Sequence, residues 1–164
     1  MEVLERVKVN PHICRVELAF EGSIVPANIP LWQPFYNSAL IDAEFHPTAI
    51  GLGAVAFAEE SQDSAAGTSY KQSVTIRFPA SDEKRSERIA LIMKARFIKV
   101  HLTTGKNFII GRNDYTQNAR PKIKVKTNQK TAEVEFETVS IFPTGYMASD
   151  SSLFAYGLIP IILE

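Results

Sequence analysis

The sequence has little of what several common classes of protein require. Its 164 residues include a single cysteine, Cys14, which excludes an internal disulfide and a cysteine-based zinc cluster. Its 18 Lys and Arg residues are balanced by 18 Asp and Glu residues. This balance argues against a nucleic-acid binder that relies on overall positive charge, and it leaves only a local basic patch for such a role.

The sequence predicts neither a signal peptide nor a membrane-spanning segment. Its longest apolar run, 153–163, is about half as long as a bilayer-spanning helix and contains Pro160. Glu2 and Glu5 lie where a signal peptide carries basic residues, and no sufficiently long apolar segment follows them. We therefore expect a soluble protein that is not secreted through a signal peptide.

No arrangement of residues predicts a catalytic, cofactor-binding or metal site. Residues 51–56 match the dinucleotide pattern G-x-G-x-x-A, but that site needs a strand before the pattern and a helix after it. Here His46-Pro47-Thr48 precedes the pattern and a polar stretch follows it. His12 and Cys14 lie two residues apart, whereas a structural metal site usually needs about four ligands. We expect no catalytic residues, no cofactor and no metal.

What the sequence does contain is alternation typical of β-strands, in a chain whose 45% hydrophobic content is normal for a globular protein. Apolar and polar residues alternate at 14–20, 74–78, 97–102, 108–110, 122–126 and 133–137. Pro79 ends one strand, and Ser81 can then cap a helix over about 82–95. We predict a single domain over 1–164 that is mainly β (α+β), an antiparallel β-barrel or sandwich with that one main flanking helix and long loops or arms.

The most specific pattern is a hairpin in which three lysines are followed by three glutamates. A four-residue turn over 128–131 places Lys126 opposite Glu133, Lys124 opposite Glu135 and Lys122 opposite Glu137. A two-residue turn at 128–129 keeps the same faces but aligns fewer ion pairs. Each cross-strand pair contributes roughly 0.2–1 kcal/mol, so the row fixes the register more than it adds stability.

Three further segments fit a compact domain poorly. Residues 24–38 interleave prolines with large apolar side chains, so they form either a loop over the domain's own core or an arm on a neighbouring subunit. Residues 54–73 shift towards Ala, Gly, Ser and Gln, which predicts a flexible loop. The apolar tail 153–163 either adds a strand to the sheet or docks on a partner.

One compact polar segment, 111–115, has two possible roles. It is either an ordinary turn between two strands or a contact loop in an assembly. Nothing in its composition decides between them.

The order of elements over 74–142 is strand, helix after a proline, strand-turn-strand and long charged hairpin. It resembles the small β-barrel-plus-helix subunits of tailed-bacteriophage virions, such as tail-tube, tail-completion and head–tail connector ring proteins. The resemblance implies a non-catalytic subunit that assembles with copies of itself into a ring or tube beside neighbouring virion proteins. It implies a location in the virion, assembled in the host cytoplasm, with at most passive contact with DNA in a channel, no sequence-specific nucleic-acid binding and no membrane partner.

Two other functions stay open. The first is a small-ligand or carbohydrate-binding β module, which needs an aromatic-lined pocket; Trp32, Tyr36 and Tyr115 are the candidate residues. The second is an enzyme whose site is assembled from distant segments of the chain.

Overall fold

A computed structural model of the chain describes residues 12–24, 41–48, 54–113, 116 and 119–146. Within these ranges the protein is mainly β, with two four-stranded sheets and one two-stranded sheet. The elements in chain order are β1 (Ile13–Ala19), β2 (Ser23–Ile24), β3 (Ile41–Asp42), β4 (His46–Pro47), β5 (Val55–Ser64), β6 (Gly67–Pro79), α1 (Arg85–Ile92), β7 (Phe97–Leu102), β8 (Asn107–Ile110), β9 (Lys122–Thr127) and β10 (Thr131–Ser140). The predicted mainly β character is confirmed.

The first sheet has the strand order β4-β1-β7-β8, and every neighbouring pair is antiparallel. Val16 of β1 pairs with Val100 of β7, and Leu18 pairs with Ile98. All four side chains are buried. The alternation seen in the sequence therefore marks the face of this sheet that is turned towards the core.

The second sheet has the order β5-β6-β10-β9, again antiparallel throughout, with β5 and β9 at its two edges. Its β9–β10 hairpin has the predicted register, with Lys126 opposite Glu133, Lys124 opposite Glu135 and Lys122 opposite Glu137. Ala132 pairs with Thr127, so the turn is the predicted 128–131. Asn128 Oδ1 stabilises it by accepting hydrogen bonds of 2.8 Å from the backbone N–H groups of Lys130 and Thr131.

The two four-stranded sheets share one hydrophobic core. Its buried members are Val16, Leu18, Val74, Ile76, Ile92, Ala95, Ile98, Val100, Leu102, Phe108, Ile110, Val134 and Phe136. A second, smaller cluster lies on the outer face of the first sheet, where Ala43 and Phe45 pack against Ala19, Phe97 and Ile109. The part of the first sheet around Ala19, Phe97 and Ile109 is therefore covered on both faces.

The predicted helix is present but shorter than the predicted range of about 82–95. It begins at Arg85 because the residues before it form turns, in which Asp82 N–H donates to the Pro79 carbonyl and Arg85 N–H donates to the Asp82 carbonyl. Asp82 Oδ1 accepts from Lys84 N–H at 3.1 Å within these turns. The predicted cap at Ser81 is wrong, because Lys84 occupies the N-cap position and no side chain of the described residues caps this helix. The helix ends at Ile92, and the backbone N–H groups of Lys94 and Ala95 then donate to carbonyls three residues earlier, as in a tight terminal turn.

The prediction of a loop over 54–73 is wrong, because these residues form most of a long antiparallel hairpin. β5 pairs with β6 from Val55 opposite Ile76 to Ser64 opposite Gly67. Val55 and Phe57 pack against the core, while residues 58–64 are exposed. The polar, small-residue composition therefore belongs to a solvent-exposed edge strand, which the ladder to β6 holds in place.

Two other predicted segments lie almost wholly outside the described residues. Ile24 belongs to β2, but 25–38 and the tail 153–163 are not described. The extended segment, the apolar tail and the extent of the single domain over 1–164 therefore stay predictions.

Candidate assembly surface

One face of the second sheet carries a row of charges that crosses three strands. Lys124 Nζ lies 3.0 Å from Glu137 Oε2 and 3.9 Å from Glu135 Oε2. Lys71 Nζ, from β6, lies 3.3 Å from the same Glu137 oxygen. Glu137 thus forms ion pairs with two ammonium groups, one from each neighbouring strand. Lys124 contacts Glu135 directly opposite it and Glu137 diagonally across the hairpin.

The row continues at the other end of β10, where Arg77 of β6 donates from Nε to Glu133 Oε2 at 2.7 Å. This hydrogen bond is the main reason that the pKa of Glu133 lies below its ordinary value. Within the described part of the chain, no ion pair involves Lys122 or Lys126. Both lysines are exposed, and the charge of Lys126 also helps to lower the pKa of Glu133, which lies opposite it. β9 therefore presents positive charge to solvent.

The environment of Glu137 acts on its carboxyl group in two opposite ways. Burial alone raises the pKa of this group, but hydrogen bonds from Lys124 and Lys71 outweigh burial and lower the pKa below its ordinary value. The same hydrogen bond to Glu137 raises the pKa of Lys124. Glu137 and Lys124 are therefore each held in the charged form.

Because the pKa of Glu137 is lowered in the folded protein, its contribution to stability is present at neutral pH and is lost as the pH falls through the folded-state pKa. We expect Glu137→Gln to lower the free energy of unfolding at pH 7 by roughly 1.5–3 kcal/mol, the range for hydrogen bonds to charged groups. This difference from the wild type should shrink as the pH falls below the ordinary value of 4.5. Urea unfolding at a series of pH values measures both effects.

The matched control is Glu135→Gln, because Glu135 lies on the same face but its side chain is 27% exposed and its nearest ammonium group is 3.9 Å away. We expect a smaller loss of stability at pH 7 for this variant, since an exposed pair contributes little. Equal losses for the two variants, or a Glu137→Gln loss that does not depend on pH, would contradict the role assigned to Glu137.

The two edges of the second sheet carry opposite charges. β5 contains Glu59, Glu60 and Asp63 and no basic residue. β9 contains Lys122, Lys124 and Lys126 and no acidic residue. In the described ranges each strand pairs on one side only. A sheet edge of this kind offers a row of backbone N–H and C=O groups to another strand.

Side-chain hydrogen bonds hold the β5–β6 hairpin to the body of the protein. Glu59 Oε2 accepts from Gln72 Nε2 at 3.0 Å and from both the backbone N–H and the hydroxyl of Thr144 at 2.7 Å. Nearer the tip, Thr68 Oγ1 donates to Asp63 Oδ1 at 2.7 Å. Two of the three carboxylates of β5 thus have partners within the chain, whereas no such contact involves Glu60 in the described residues.

The polar segment 111–115 forms a buried connection over its described part. Asn113 has a φ of 48°, and its Nδ2 donates to the Ala119 carbonyl at 2.8 Å. Its Oδ1 accepts from Val139 N–H at 3.0 Å, which joins the loop to β10. These bonds favour a turn between strands over a contact loop for residues 111–113. Asp114 and Tyr115 lie outside the described residues.

Two cavities adjoin this framework. The first, of about 620 Å³, is lined by apolar residues of β1, β6 and α1 together with Arg77, Asp82 and Arg88. The charges in it are already paired, because Arg77 contacts Glu133 and Arg88 Nε lies 2.6 Å from Asp82 Oδ2. This cavity therefore offers an apolar surface but few unsatisfied polar groups.

The second cavity, of about 510 Å³, is lined by aromatic side chains. The Phe57 and Phe108 rings lie 4.8 Å apart, and Tyr146 meets Phe108 edge-on at 6.2 Å. Glu59 and Thr144 are also part of its wall. These aromatic residues differ from those suggested by the sequence, since Trp32, Tyr36 and Tyr115 are outside the described residues.

The structure gives no support to the nucleotide or metal patterns in the sequence. Ala54 is followed by the strand β5, whereas a dinucleotide site needs a helix at that point. Cys14 donates from Sγ to the His101 carbonyl at 3.4 Å. Among the described residues, no three His, Cys, Asp or Glu side chains are grouped so that they could hold a metal ion.

Comparison with known proteins adds no information about identity. No protein-family model, curated protein or solved structure matches the chain. Over the part of the chain that the structure covers, no helix has the length and apolar character needed to cross a membrane.

Proposed function

We propose that this chain is a non-catalytic structural subunit that assembles with copies of itself into a ring or tube. The proposed setting is the tail or the head–tail connector of a tailed-bacteriophage virion, assembled in the host cytoplasm, with neighbouring virion proteins as further partners. Contact with nucleic acid is limited to passive contact with DNA in a channel.

The observation that carries this proposal is the pair of edges on the second sheet, β5 and β9, that no strand of the described residues pairs with. β5 is ten residues long and contains no proline, and residues 58–64 are exposed. Proteins that stay monomeric commonly shorten, bend, charge or cover such an edge, because an exposed edge recruits other strands. Here the charges of the two edges are opposite in sign, so they attract one another between copies. In an assembly of identical copies, each copy covers the exposed edge of its neighbour through the same contact.

The proposal also assigns the two four-stranded sheets to a β-sandwich rather than to a closed β-barrel. Two features support this architecture. Side chains from both sheets line one core, and in the described ranges no strand of one sheet pairs with a strand of the other. A sandwich leaves its edge strands open, whereas closure into a barrel removes them.

Light scattering after size-exclusion chromatography tests the proposal. We expect the molar mass to rise with concentration, from that of the 18.3 kDa chain to a fixed multiple of it. A mass that stays at that of one chain from micromolar to near-millimolar concentration would contradict self-assembly.

The second candidate function is a small-ligand or carbohydrate-binding module. The aromatic cavity lined by Phe57, Phe108 and Tyr146 favours it, because aromatic faces combined with a few polar groups are typical of ligand sites. Under this alternative the protein is monomeric at all concentrations. NMR signals of Tyr146 then shift in a saturable manner when a panel of oligosaccharides is titrated.

A further inference from the structure

We infer that neighbouring copies join edge to edge, with β9 of one copy alongside β5 of the next, so that the second sheet continues from subunit to subunit. This inference rests on the proposed function, and it specifies the surface and the type of symmetry through which the assembly forms.

The charges of the two edges select this pairing over the alternatives. A two-fold pairing of β5 with β5 brings the acidic edge that carries Glu59, Glu60 and Asp63 against an identical acidic edge. A two-fold pairing of β9 with β9 sets lysines against lysines. Like charges directly opposite one another destabilise a strand pair, whereas opposite charges stabilise it. Only the head-to-tail arrangement brings the acidic edge to the basic edge.

The strand directions permit the same arrangement. The order β5-β6-β10-β9 is antiparallel at every step, so the first and last strands of this four-stranded sheet run in opposite directions. A copy related by rotation about an axis roughly parallel to the strands therefore adds its β5 antiparallel to β9. Such a heterologous contact closes into a ring when the rotation divides a full turn, and otherwise gives a helical filament.

Lys122, Lys126 and Glu60, which form no ion pair among the described residues, lie on a common face. Lys122 pairs across the sheet with Glu137, Glu137 with Ser73, and Ser73 with Ala58. Residues paired in this way project from the same face, and residues two apart on one strand do so as well. Glu60 therefore projects from the face that carries Lys122 and Lys126, as contact between them across a continued sheet requires.

Charge reversal with rescue tests the pairing. The variant Lys122→Glu/Lys126→Glu makes β9 acidic on that face, and Glu60→Lys makes β5 basic there. We expect each to raise the concentration for half-assembly by about tenfold or more, because two like-charged contacts replace attractive ones. The combined variant carries all three substitutions, restores opposite charges across the contact, and should assemble close to wild-type concentration.

The matched control is Lys84→Glu/Lys94→Glu, which makes the same change in net charge at two exposed lysines that flank α1, away from both edges. We expect this variant to assemble like the wild type. Circular dichroism confirms folding of each variant. The wild type supplies a measurement that needs no substitution: added salt screens opposite charges and should weaken its assembly.

The outcomes separate this inference from the function on which it rests. A wild-type chain that stays monomeric overturns both. If the wild type assembles, three results would overturn the β9-to-β5 contact while self-assembly stands. These are edge variants that assemble as well as the wild type, a combined variant that shows no recovery, and assembly that is strengthened by salt.

Discussion

Replacing Phe136 with alanine should lower the free energy of unfolding by roughly 3–5 kcal/mol, the usual cost of truncating a fully buried phenylalanine. Phe136 is 0% exposed and lies in β10, an inner strand of the second sheet. It pairs with Val74 on one side and Ile123 on the other, inside the core that both sheets share. Truncation therefore removes apolar contacts and leaves a cavity that rigid strands cannot readily fill.

Val125→Ala is the control for this prediction. Val125 lies on the same face of the adjacent edge strand but is 37% exposed, so we expect a loss below about 1 kcal/mol. Chemical denaturation followed by circular dichroism gives both values. If Phe136→Ala unfolds at nearly the wild-type denaturant concentration, the shared core is not where the structure places it.

The second large effect is expected at Gly111, where alanine should cost roughly 2–4 kcal/mol. Gly111 has a φ of 123°, which side-chain-bearing residues rarely adopt. A Cβ at this position would also collide with the Arg96 carbonyl oxygen and would press on Phe97 at 3.0 Å. Both obstacles are backbone or fully buried, so neither can move at low cost.

Gly105→Ala separates the two causes of that loss. Gly105 also has a positive φ, of 80°, but a Cβ there meets nothing within 4 Å. We expect about 1–2 kcal/mol for this variant, from backbone strain alone. Equal losses at the two glycines, measured by thermal unfolding of both variants, would show that the close approach of residue 111 to Arg96 does not matter.

The sequence predicted the elements in which one face is buried and the other charged. The β9–β10 register followed from the alternation of lysines and glutamates, because a one-residue slip would turn every charge towards the core. The helix was predicted with its ends extended too far. The predicted cap at Ser81 is wrong because Asp82 bonds Lys84 N–H in a turn, and the helix begins only at Arg85.

Strand β5 was missed because its outer half, residues 58–64, has no buried face. Sequence alternation reports burial, and residues 58–64 are all exposed, so the pattern that marks a strand is absent. What keeps them in a strand is the ladder to β6 and the bonds that Glu59 receives from Gln72 and Thr144. The latter bond joins residues 85 positions apart in the sequence.

The candidate surface was predictable only in part, because it depends on which strands lie side by side. The Lys and Glu row was evident, but the contributions of Lys71 and Arg77 depend on β6 lying beside β10, which is set by the whole topology. The acidic edge could not be recognised while β5 was interpreted as a loop. The aromatic cavity likewise joins Phe57, Phe108 and Tyr146 from three distant segments.

The most direct test of the account is hydrogen exchange of the edge strands, compared between dilute and concentrated wild-type protein. If copies pair through their edges, backbone amides in peptides covering β5 and β9 gain protection on concentration, whereas those of the inner strand β10 are protected in both states. If the exchange of both edges is the same at every concentration, or if protection arises elsewhere while β5 and β9 stay unchanged, the edges take no part in assembly.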